Sequence, residues 1–209
     1  MCDYENLVQT LHQFAEKSKE KPLSLGEALD SLDEAGYAFI CIILVLPFLQ
    51  PLPLGPITVI GGIAFATLGW QLMHGHESPV LPEQIRAIEF SENTWRILVK
   101  VCLQILGVCR KITKPRYQNL VKGKRGQKIG GFLLLAGGGL MAIPFGVLPL
   151  NNLLPGCAIL FFCIGELEED GLMYFIAFFW LIITVAYFSA FFFALFYFGE
   201  QALQFFNFL

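Results

Sequence analysis

Charged residues are scarce in this chain, and they are unevenly placed. They make up 15% of its 209 residues, whereas soluble domains carry about 25%. Hydrophobic residues make up 56%, with phenylalanine the most abundant aromatic at 21 residues, and the mean hydropathy is +0.62. An apolar excess concentrated in long blocks is typical of segments that face lipid. The sequence therefore predicts an integral membrane protein rather than a soluble domain.

The sequence also lacks a recognisable catalytic or metal centre. It contains three histidines, and none of its six cysteines forms a C-x-x-C pair. His74-Gly75-His76-Glu77 contains two histidines whose spacing suits a pair of loop ligands, but no further ligand is fixed nearby. Neither a Ser-His-Asp order nor a nucleotide-binding glycine motif occurs. We therefore expect a solvated loop here, with no metal, no cofactor and no enzymatic activity.

One stretch of the chain has no acidic residue at all. A basic block can bind nucleic acid, but this one is short and lies between apolar segments. The positive-inside rule explains it better, so we expect a cytoplasmic loop and no nucleic-acid partner. The stretch covers residues 110–128, and its eight basic residues are Arg110, Lys111, Lys114, Arg116, Lys122, Lys124, Arg125 and Lys128.

Prolines interrupt the apolar sequence twice, once within Leu46–Leu72 and once within Met141–Gly171. The two stretches echo each other, since Pro47-Phe48 recurs as Pro144-Phe145 97 residues later. Proline lacks a backbone N–H and cannot continue a helix without loss, so each cluster predicts a turn between two apolar helices. The prolines concerned are Pro47, Pro51, Pro53 and Pro56 in the first break, and Pro144, Pro149 and Pro155 in the second.

The two broken hairpins predict an all-α membrane protein built from two repeats. The first limb, residues 37–50, would reach about 21 Å as a helix, against a hydrocarbon core of about 30 Å. We therefore expect re-entrant hairpins that turn at membrane depth, with two tilted full spans as the alternative. Each hairpin is followed by one further apolar segment. If both of these segments cross the membrane, the two repeats are inverted with respect to it.

The domain boundaries follow from this pattern. Residues 1–35 form an amphipathic amino-terminal arm, either a docking arm or a solvated lid, in which Ser24 and Glu27 make a capping box. Repeat 1 covers 36–113 and repeat 2 covers 114–209. The helix at 94–109 carries two basic residues and is either interfacial or a short crossing. The expected elements are a hairpin at 37–73, the helix at 94–109, the basic loop at 110–128, a hairpin at 129–166 and a transmembrane helix at 172–198.

Polar side chains inside the breaks form the candidate site. Gln50 lies in the first break, and Asn151 and Asn152 lie in the second. An unpaired amide in hydrocarbon costs several kcal/mol, so protein, water or a ligand must satisfy these side chains. An acidic cluster at 166–170 follows the last limb. We expect Glu166, which is nearest that limb, to be the buried acid and to complete a substrate or ion pathway.

Short motifs spread over residues 23–200 carry a family resemblance. They are Gly69-Trp70-Gln71-Leu72 with Gly75 and Leu81-Pro82, then Pro115-Arg116, then Pro144-Phe145 with Pro149, Asn152, Leu154-Pro155, Ile164-Gly165 and Asp170-Gly171. This set resembles the bacterial exopolysaccharide-synthesis ExoD family. The chain departs from that family at Glu34-Ala35-Gly36-Tyr37, where an Arg-Ser-Gly-like turn is usual. The resemblance implies a multi-pass protein of the bacterial inner membrane that is linked to exopolysaccharide production.

Two functions remain open on this basis. Broken helices in inverted repeats are typical of transporters, which bind substrates near the bilayer midplane. Neither break carries the charged residue that a coupled carrier usually needs. The alternative is a non-catalytic accessory or scaffold subunit of a polysaccharide assembly or export machinery. The partners to consider are the lipid bilayer, polysaccharide-assembly proteins and a second copy of the chain.

Overall fold

The computed structural model describes residues 9–10, 12–14, 16–17, 23–30, 35–52, 54–76, 78–87, 89–144 and 148–206. Within these ranges the architecture is helical, and β-structure is limited to one antiparallel pair, β1 (Leu23–Ser24) with β2 (Glu89–Phe90). The α-helices are α1 (Leu25–Asp30), α2 (Ala35–Val45), α3 (Pro56–Met73), α4 (Glu83–Arg86), α5 (Glu92–Ile112), α6 (Gly123–Met141), α7 (Leu153–Leu167) and α8 (Gly171–Phe206). Two short 3₁₀ segments are η1 (Leu46–Phe48) and η2 (Gln118–Leu120).

Glycines bring α3 and α6 into backbone contact. A Cβ atom placed on Gly138 would lie 2.6 Å from the Gly62 carbonyl oxygen, and one placed on Gly131 would lie 2.7 Å from the Gly69 carbonyl oxygen. The residue numbers rise along α3 as they fall along α6, so the two helices are antiparallel. On each helix the two glycines are seven residues apart, which keeps them on one face. Small residues at such positions let helix backbones approach closely.

The α2 helix is antiparallel to both of its neighbours. Its first turn lies beside the end of α3, because the Tyr37 hydroxyl donates to the Ser78 carbonyl at 3.1 Å. Its last turn lies beside the start of α7, where Gly156 faces Val45. The α2–α3 hairpin therefore packs on α7 as well as on its own return limb.

The second hairpin, α6–α7, packs beside the first and completes a bundle with it. Gly137 of α6 faces Ile159 of α7, and Gly130 faces Phe162 further from the turn, so α6 and α7 are antiparallel. Hairpin α2–α3 and hairpin α6–α7 thus form a four-helix bundle in which each helix is antiparallel to the ones beside it. We call the end with the two turns the tips, with tip 1 at the described residues 46–52 and 54–55 and tip 2 at the described residues 142–144 and 148–152, and the opposite end the base.

The two hairpins run in the same direction, which corrects the predicted inversion. In the α3–α6 register, Gly62 and Gly138 both lie near the tips, and Gly69 and Gly131 both lie nearer the base. A two-fold axis in the membrane plane would point the hairpins in opposite directions. An axis that relates α2–α3 to α6–α7 must instead run along the bundle. The inverted relation expected from the sequence is therefore not found in these hairpins.

The reason for this difference is the placement of α5. At its amino end, the Trp95 ring lies 5.6 Å from Phe14, which lies 6.4 Å from Phe39 in the first turn of α2. Just past its other end, the Lys114 N–H donates to Asp170, beside the start of α8. Both ends of α5 therefore lie at the base, so the helix runs across the bundle rather than along it. The choice between an interfacial helix and a short crossing at 94–109 stays a prediction.

The last helix is much longer than the hairpins. It starts at the base, packs on α6 and α7, and passes tip 2, where the Tyr187 hydroxyl donates to the Pro149 carbonyl at 2.9 Å. It has 36 residues, which corresponds to about 54 Å of helix. About half of α8 therefore projects beyond the hairpin tips.

The prolines lie where helices stop and start. Pro47 lies within η1 and Pro56 is the first residue of α3. Pro155 is the third residue of α7, inside the first turn, where a missing N–H breaks no helical hydrogen bond. Pro53 lies outside the described residues. Non-helical positions are held by Pro51, Pro144 and Pro149.

The amino-terminal arm is described only in part. The predicted capping box is confirmed: the Glu27 N–H donates to Ser24 Oγ at 3.2 Å, and the Ser24 N–H donates to Glu27 Oε2 at 3.3 Å. It starts α1, which lies beside α4. Much of the first predicted helix of the arm, including Leu7 and Leu11, lies outside the described residues.

Two adjacent glycines of α6 provide a matched test of the α3–α6 contact. Gly138→Ala should destabilise the protein by about 1–3 kcal/mol, because the new methyl group meets the α3 backbone. Gly139→Ala should be neutral or stabilise by up to about 1 kcal/mol, because nothing lies within 4 Å of that position and alanine favours helix. Thermal unfolding in detergent measures both. Equal effects of the two substitutions would contradict the close approach.

Candidate functional site

One asparagine joins the two hairpin tips. Asn152 Nδ2 points at three backbone carbonyls of tip 1, those of Leu52 at 3.1 Å, Gln50 at 3.3 Å and Phe48 at 3.4 Å. The side chain is fully buried, with 0% exposure. The Leu150 N–H adds a backbone contact to the Pro51 carbonyl at 3.4 Å. We call this set of contacts the tip clamp.

The position of Asn152 explains why an amide is needed there. Asn152 immediately precedes α7, and its own carbonyl accepts the Gly156 N–H at 2.9 Å, so its backbone starts the helix while its side chain faces tip 1. The carbonyls it meets belong to the last residue of η1 and to the non-helical residues after it, so they have no helical N–H as partner. In a low-dielectric region such carbonyls must be satisfied by protein or water. The amide NH₂ group carries two hydrogens for this purpose.

Other polar atoms lie buried close to the clamp. Within the described part of the chain, Asn152 Oδ1 and Thr58 Oγ1 are buried and have no hydrogen-bond partner. Thr58 lies in the first turn of α3 and is 1% exposed. Asn151 is also buried, and the Gln50 side chain is half-buried, although only the Gln50 carbonyl belongs to the clamp. Thr58 carries no distinctive sequence signal and was missed by sequence reasoning.

Glu166 does not belong with these residues. It lies in the last turn of α7, about 20 Å along the helix from Asn152, and the Tyr174 hydroxyl of α8 donates to its carboxylate. The structure thus brings together Gln50, Asn151 and Asn152 but leaves Glu166 at the base. The expectation that Glu166 is the buried acid of its cluster is also wrong, because Glu166 is only half-buried whereas Asp170 is 0% exposed.

Asp170 organises the base. Its carboxylate accepts three hydrogen bonds, from the Lys114 N–H at 3.1 Å, from Arg116 Nη2 at 3.0 Å and from the Leu172 N–H at 3.0 Å. The Gly171 N–H in turn donates to the Arg116 carbonyl at 2.7 Å. We call this set of contacts the base clasp. It ties the basic loop to the turn between α7 and α8.

The base clasp unites two motifs that lie more than fifty residues apart in the sequence. Pro115-Arg116 and Asp170-Gly171 both carried the family resemblance, and here they meet. A side chain on Gly171 would meet the Tyr117 carbonyl at 2.7 Å, which explains the glycine. Sequence reasoning expected Glu166 to be the buried acid of this cluster and missed Asp170. The sequence signal for Asp170 was that Asp170-Gly171 and Pro115-Arg116 both carry the family resemblance.

Gln71 holds the loop after α3. Its amide pairs with both backbone groups of Val80, donating to the carbonyl at 2.9 Å and accepting the N–H at 2.8 Å. His74 Nδ1 lies 2.8 Å from the Trp70 carbonyl. Glu77 lies outside the described residues. Among the residues that the structure describes, no group of three or more His, Cys, Asp or Glu is placed to hold a metal ion.

Lipid-facing surface defines the class of the protein. In the described part of the chain, α3 and the Gly171–Tyr197 part of α8 are long and apolar enough to cross a membrane. Only 33% and 22% of these segments are buried inside the protein, so neither is the core helix of a soluble domain. Large apolar side chains such as Phe193 and Phe196 are more than 70% exposed. Apolar surface on this scale belongs in lipid, and the fold is that of a helical membrane protein.

The chain belongs to the ExoD family. Residues 7–190 match the family described as "Exopolysaccharide synthesis, ExoD". A curated relative, Protein ExoD of Rhizobium meliloti (strain 1021), is 28% identical over 184 residues, which cover 88% of this chain and 76% of the relative. No solved structure matches the chain. The family links the chain to exopolysaccharide synthesis.

The tip clamp can be tested with two amide-to-leucine substitutions. Asn152→Leu should destabilise the protein by about 1–3 kcal/mol, because three tip 1 carbonyls, one of them buried, lose the amide group that they share. Gln50→Leu should change stability by less than about 0.5 kcal/mol, since only the Gln50 backbone takes part. Thermal unfolding in detergent compares them. If Gln50→Leu costs as much as Asn152→Leu, the clamp is not what joins the tips.

The base clasp can be tested with two acid-to-amide substitutions. Asp170→Asn should destabilise by about 1–3 kcal/mol, because an amide NH₂ group would then oppose buried donors. Glu169→Gln should cost less than about 1 kcal/mol, because its 2.7 Å ion pair with Lys122 is partly exposed. Chemical unfolding of the two variants provides the comparison. A larger loss for Glu169→Gln would contradict the assignment.

Proposed function

We propose that this chain is a non-catalytic accessory subunit of exopolysaccharide production, embedded in the bacterial inner membrane. The observation that carries the proposal is the tip clamp. The Asn152 amide is the polar group that a transport site would use, but its NH₂ group already donates to carbonyls of the other hairpin. The link to exopolysaccharide comes from the family. The proposal includes no catalytic step, since the two breaks contain no ionisable side chain that could act as nucleophile or base.

Helix lengths support hairpins that re-enter the membrane from one side. The 15 residues of α7 reach about 22 Å, less than the hydrocarbon thickness of about 30 Å. The contact between Tyr187 and Pro149 marks the level of the tips on α8. The apolar part of α8 continues to Tyr197, about 15 Å further. The 18 residues of α3 reach about 27 Å, but its hairpin partner α2 has only 11 residues. Under this proposal the tips therefore lie inside the bilayer, and α8 is the segment that crosses it fully.

The charge distribution supports a base that faces the cytoplasm. The basic loop lies at the base, bound there through Asp170, and such loops resist translocation. Since α5 stays on the base side, the described parts of the arm would be cytoplasmic too. The end of α8 would then lie toward the periplasm. This arrangement avoids an exported amino-terminal arm, which the inverted interpretation would require.

A permeation function is the second candidate, and one observation favours it. Asn152 Oδ1 and Thr58 Oγ1 are buried polar atoms without a partner in the described part of the protein. Leaving each of them unpaired costs about 1–3 kcal/mol, which water or a hydroxyl-bearing substrate at the tips would recover. If these atoms serve a substrate, removing one of them should affect function more than stability.

Thr58→Val separates the two functions. Under the accessory proposal, the variant should be at least as stable as the parent, because a buried unpaired hydroxyl is removed at nearly constant volume. It should also restore exopolysaccharide production in a strain that lacks the gene. Melting temperature, membrane abundance and polysaccharide yield are measured on the same cells. Loss of polysaccharide with normal abundance and stability would reject the accessory proposal and support permeation.

A further inference from the structure

The cations at the base are not all used in the same way. Arg116 pairs with Asp170 at 3.0 Å and Lys122 pairs with Glu169 at 2.7 Å, so these two serve the fold. Three others, Lys124, Arg125 and Lys128, are exposed, and none forms an ion pair with a described residue. We call these three residues the basic rim. The acids Asp170 and Glu169 pair with Arg116 and Lys122 rather than with the rim.

Helical geometry places two rim residues on the lipid-facing side of α6. Phe132 is 45% exposed and its ring lies 6.2 Å from Phe178 of α8, so it marks the side of α6 that faces lipid beside α8. At 100° per residue, Arg125 lies about 20° from Phe132 around the helix and Lys128 about 40° from it. Lys124 lies further round, at about 80°. Arg125 and Lys128 therefore continue the exposed stripe of Phe132 toward the base.

The depth of these residues matches that of lipid headgroups. Lys128 is followed directly by the apolar run that starts at Ile129, and α8 begins its own apolar run at Gly171 on the same end of the bundle. The η2 segment packs against both helices at that level. Cations at the point where a lipid-facing stripe leaves the apolar region lie among headgroups, where they are attracted to anionic lipid.

We infer that Arg125 and Lys128 form a docking surface for the phosphate groups of anionic phospholipids. The occupant follows from charge complementarity, because two unpaired cations face the part of the bilayer that carries phosphates. A phospholipid fits the surface better than a soluble anion, since the adjoining stripe at Phe132 is apolar and packs against acyl chains. The surface is distinct from the tip clamp and from the base clasp.

The test uses the full-length protein in a neutral detergent. Melting temperature is followed as phosphatidylglycerol, phosphatidylcholine or glycerol 3-phosphate is added. Phosphatidylglycerol should stabilise the protein more than the other two. In R125Q/K128Q the phosphatidylglycerol concentration for half of the effect should rise roughly tenfold. The control R96Q/K100Q removes one arginine and one lysine from exposed positions of α5, also at the base, and should weaken the effect less than R125Q/K128Q, because these two cations do not continue the Phe132 stripe.

Each result of this experiment either supports or overturns the inference of a lipid-docking surface. Equal weakening in both double variants would overturn the inference, because it would show a general effect of base charge. No preference for phosphatidylglycerol over phosphatidylcholine would overturn it as well, and so would full stabilisation by glycerol 3-phosphate, which would indicate a soluble-phosphate site. R125K/K128R keeps the charges and should bind like the parent. If R125Q/K128Q does not fold, Lys128→Gln alone should still weaken the lipid effect several-fold.

Discussion

Backbone contact between α3 and α6 is the constraint on which the rest of the structure depends. The Gly62–Gly138 and Gly69–Gly131 approaches fix an antiparallel register between the return limb of one hairpin and the first limb of the other. That register brings both turns to the same end, so the tips lie side by side rather than end to end. Only from this position can Asn152 reach the carbonyls of tip 1. The cost of so many helical glycines, about 0.5–1 kcal/mol each, is offset by the packing that they permit.

The two ends of the bundle are closed by different polar chemistry, and the difference follows from the dielectric environment. At the tips a neutral amide meets neutral carbonyls, which avoids placing a charge where desolvation would cost most. At the base a carboxylate is buried, but its partner Arg116 is 39% exposed, and two backbone N–H groups share the charge. This difference agrees with the proposed arrangement, in which the base lies near water and headgroups and the tips lie inside the bilayer.

Sequence reasoning found the local features and missed the relation between distant ones. The proline clusters located the turns because proline acts on its own backbone, and the Ser24–Glu27 capping box was readable because its partners are three residues apart. The sequence could not predict whether the two hairpins point in the same direction, because this depends on whether α5 crosses the membrane. A helix with Arg96 and Lys100 fits either an interfacial or a crossing placement. Asp170 was missed for a similar reason, because its partners Lys114 and Arg116 lie in another segment.

The arrangement of the hairpins bears on which functions are energetically accessible. Carriers built from inverted repeats expose a midplane site to either side by rocking one half against the other. Here the two hairpins point in the same direction. The tip clamp joins them at the tips, and the glycine contacts join them along α3 and α6. Sliding one hairpin against the other would leave the tip 1 carbonyls without donors in hydrocarbon, at a cost of several kcal/mol. Under the proposed arrangement, a rigid pair of re-entrant hairpins anchored by one crossing helix holds a fixed surface in the membrane, and a fixed surface is what an accessory subunit needs.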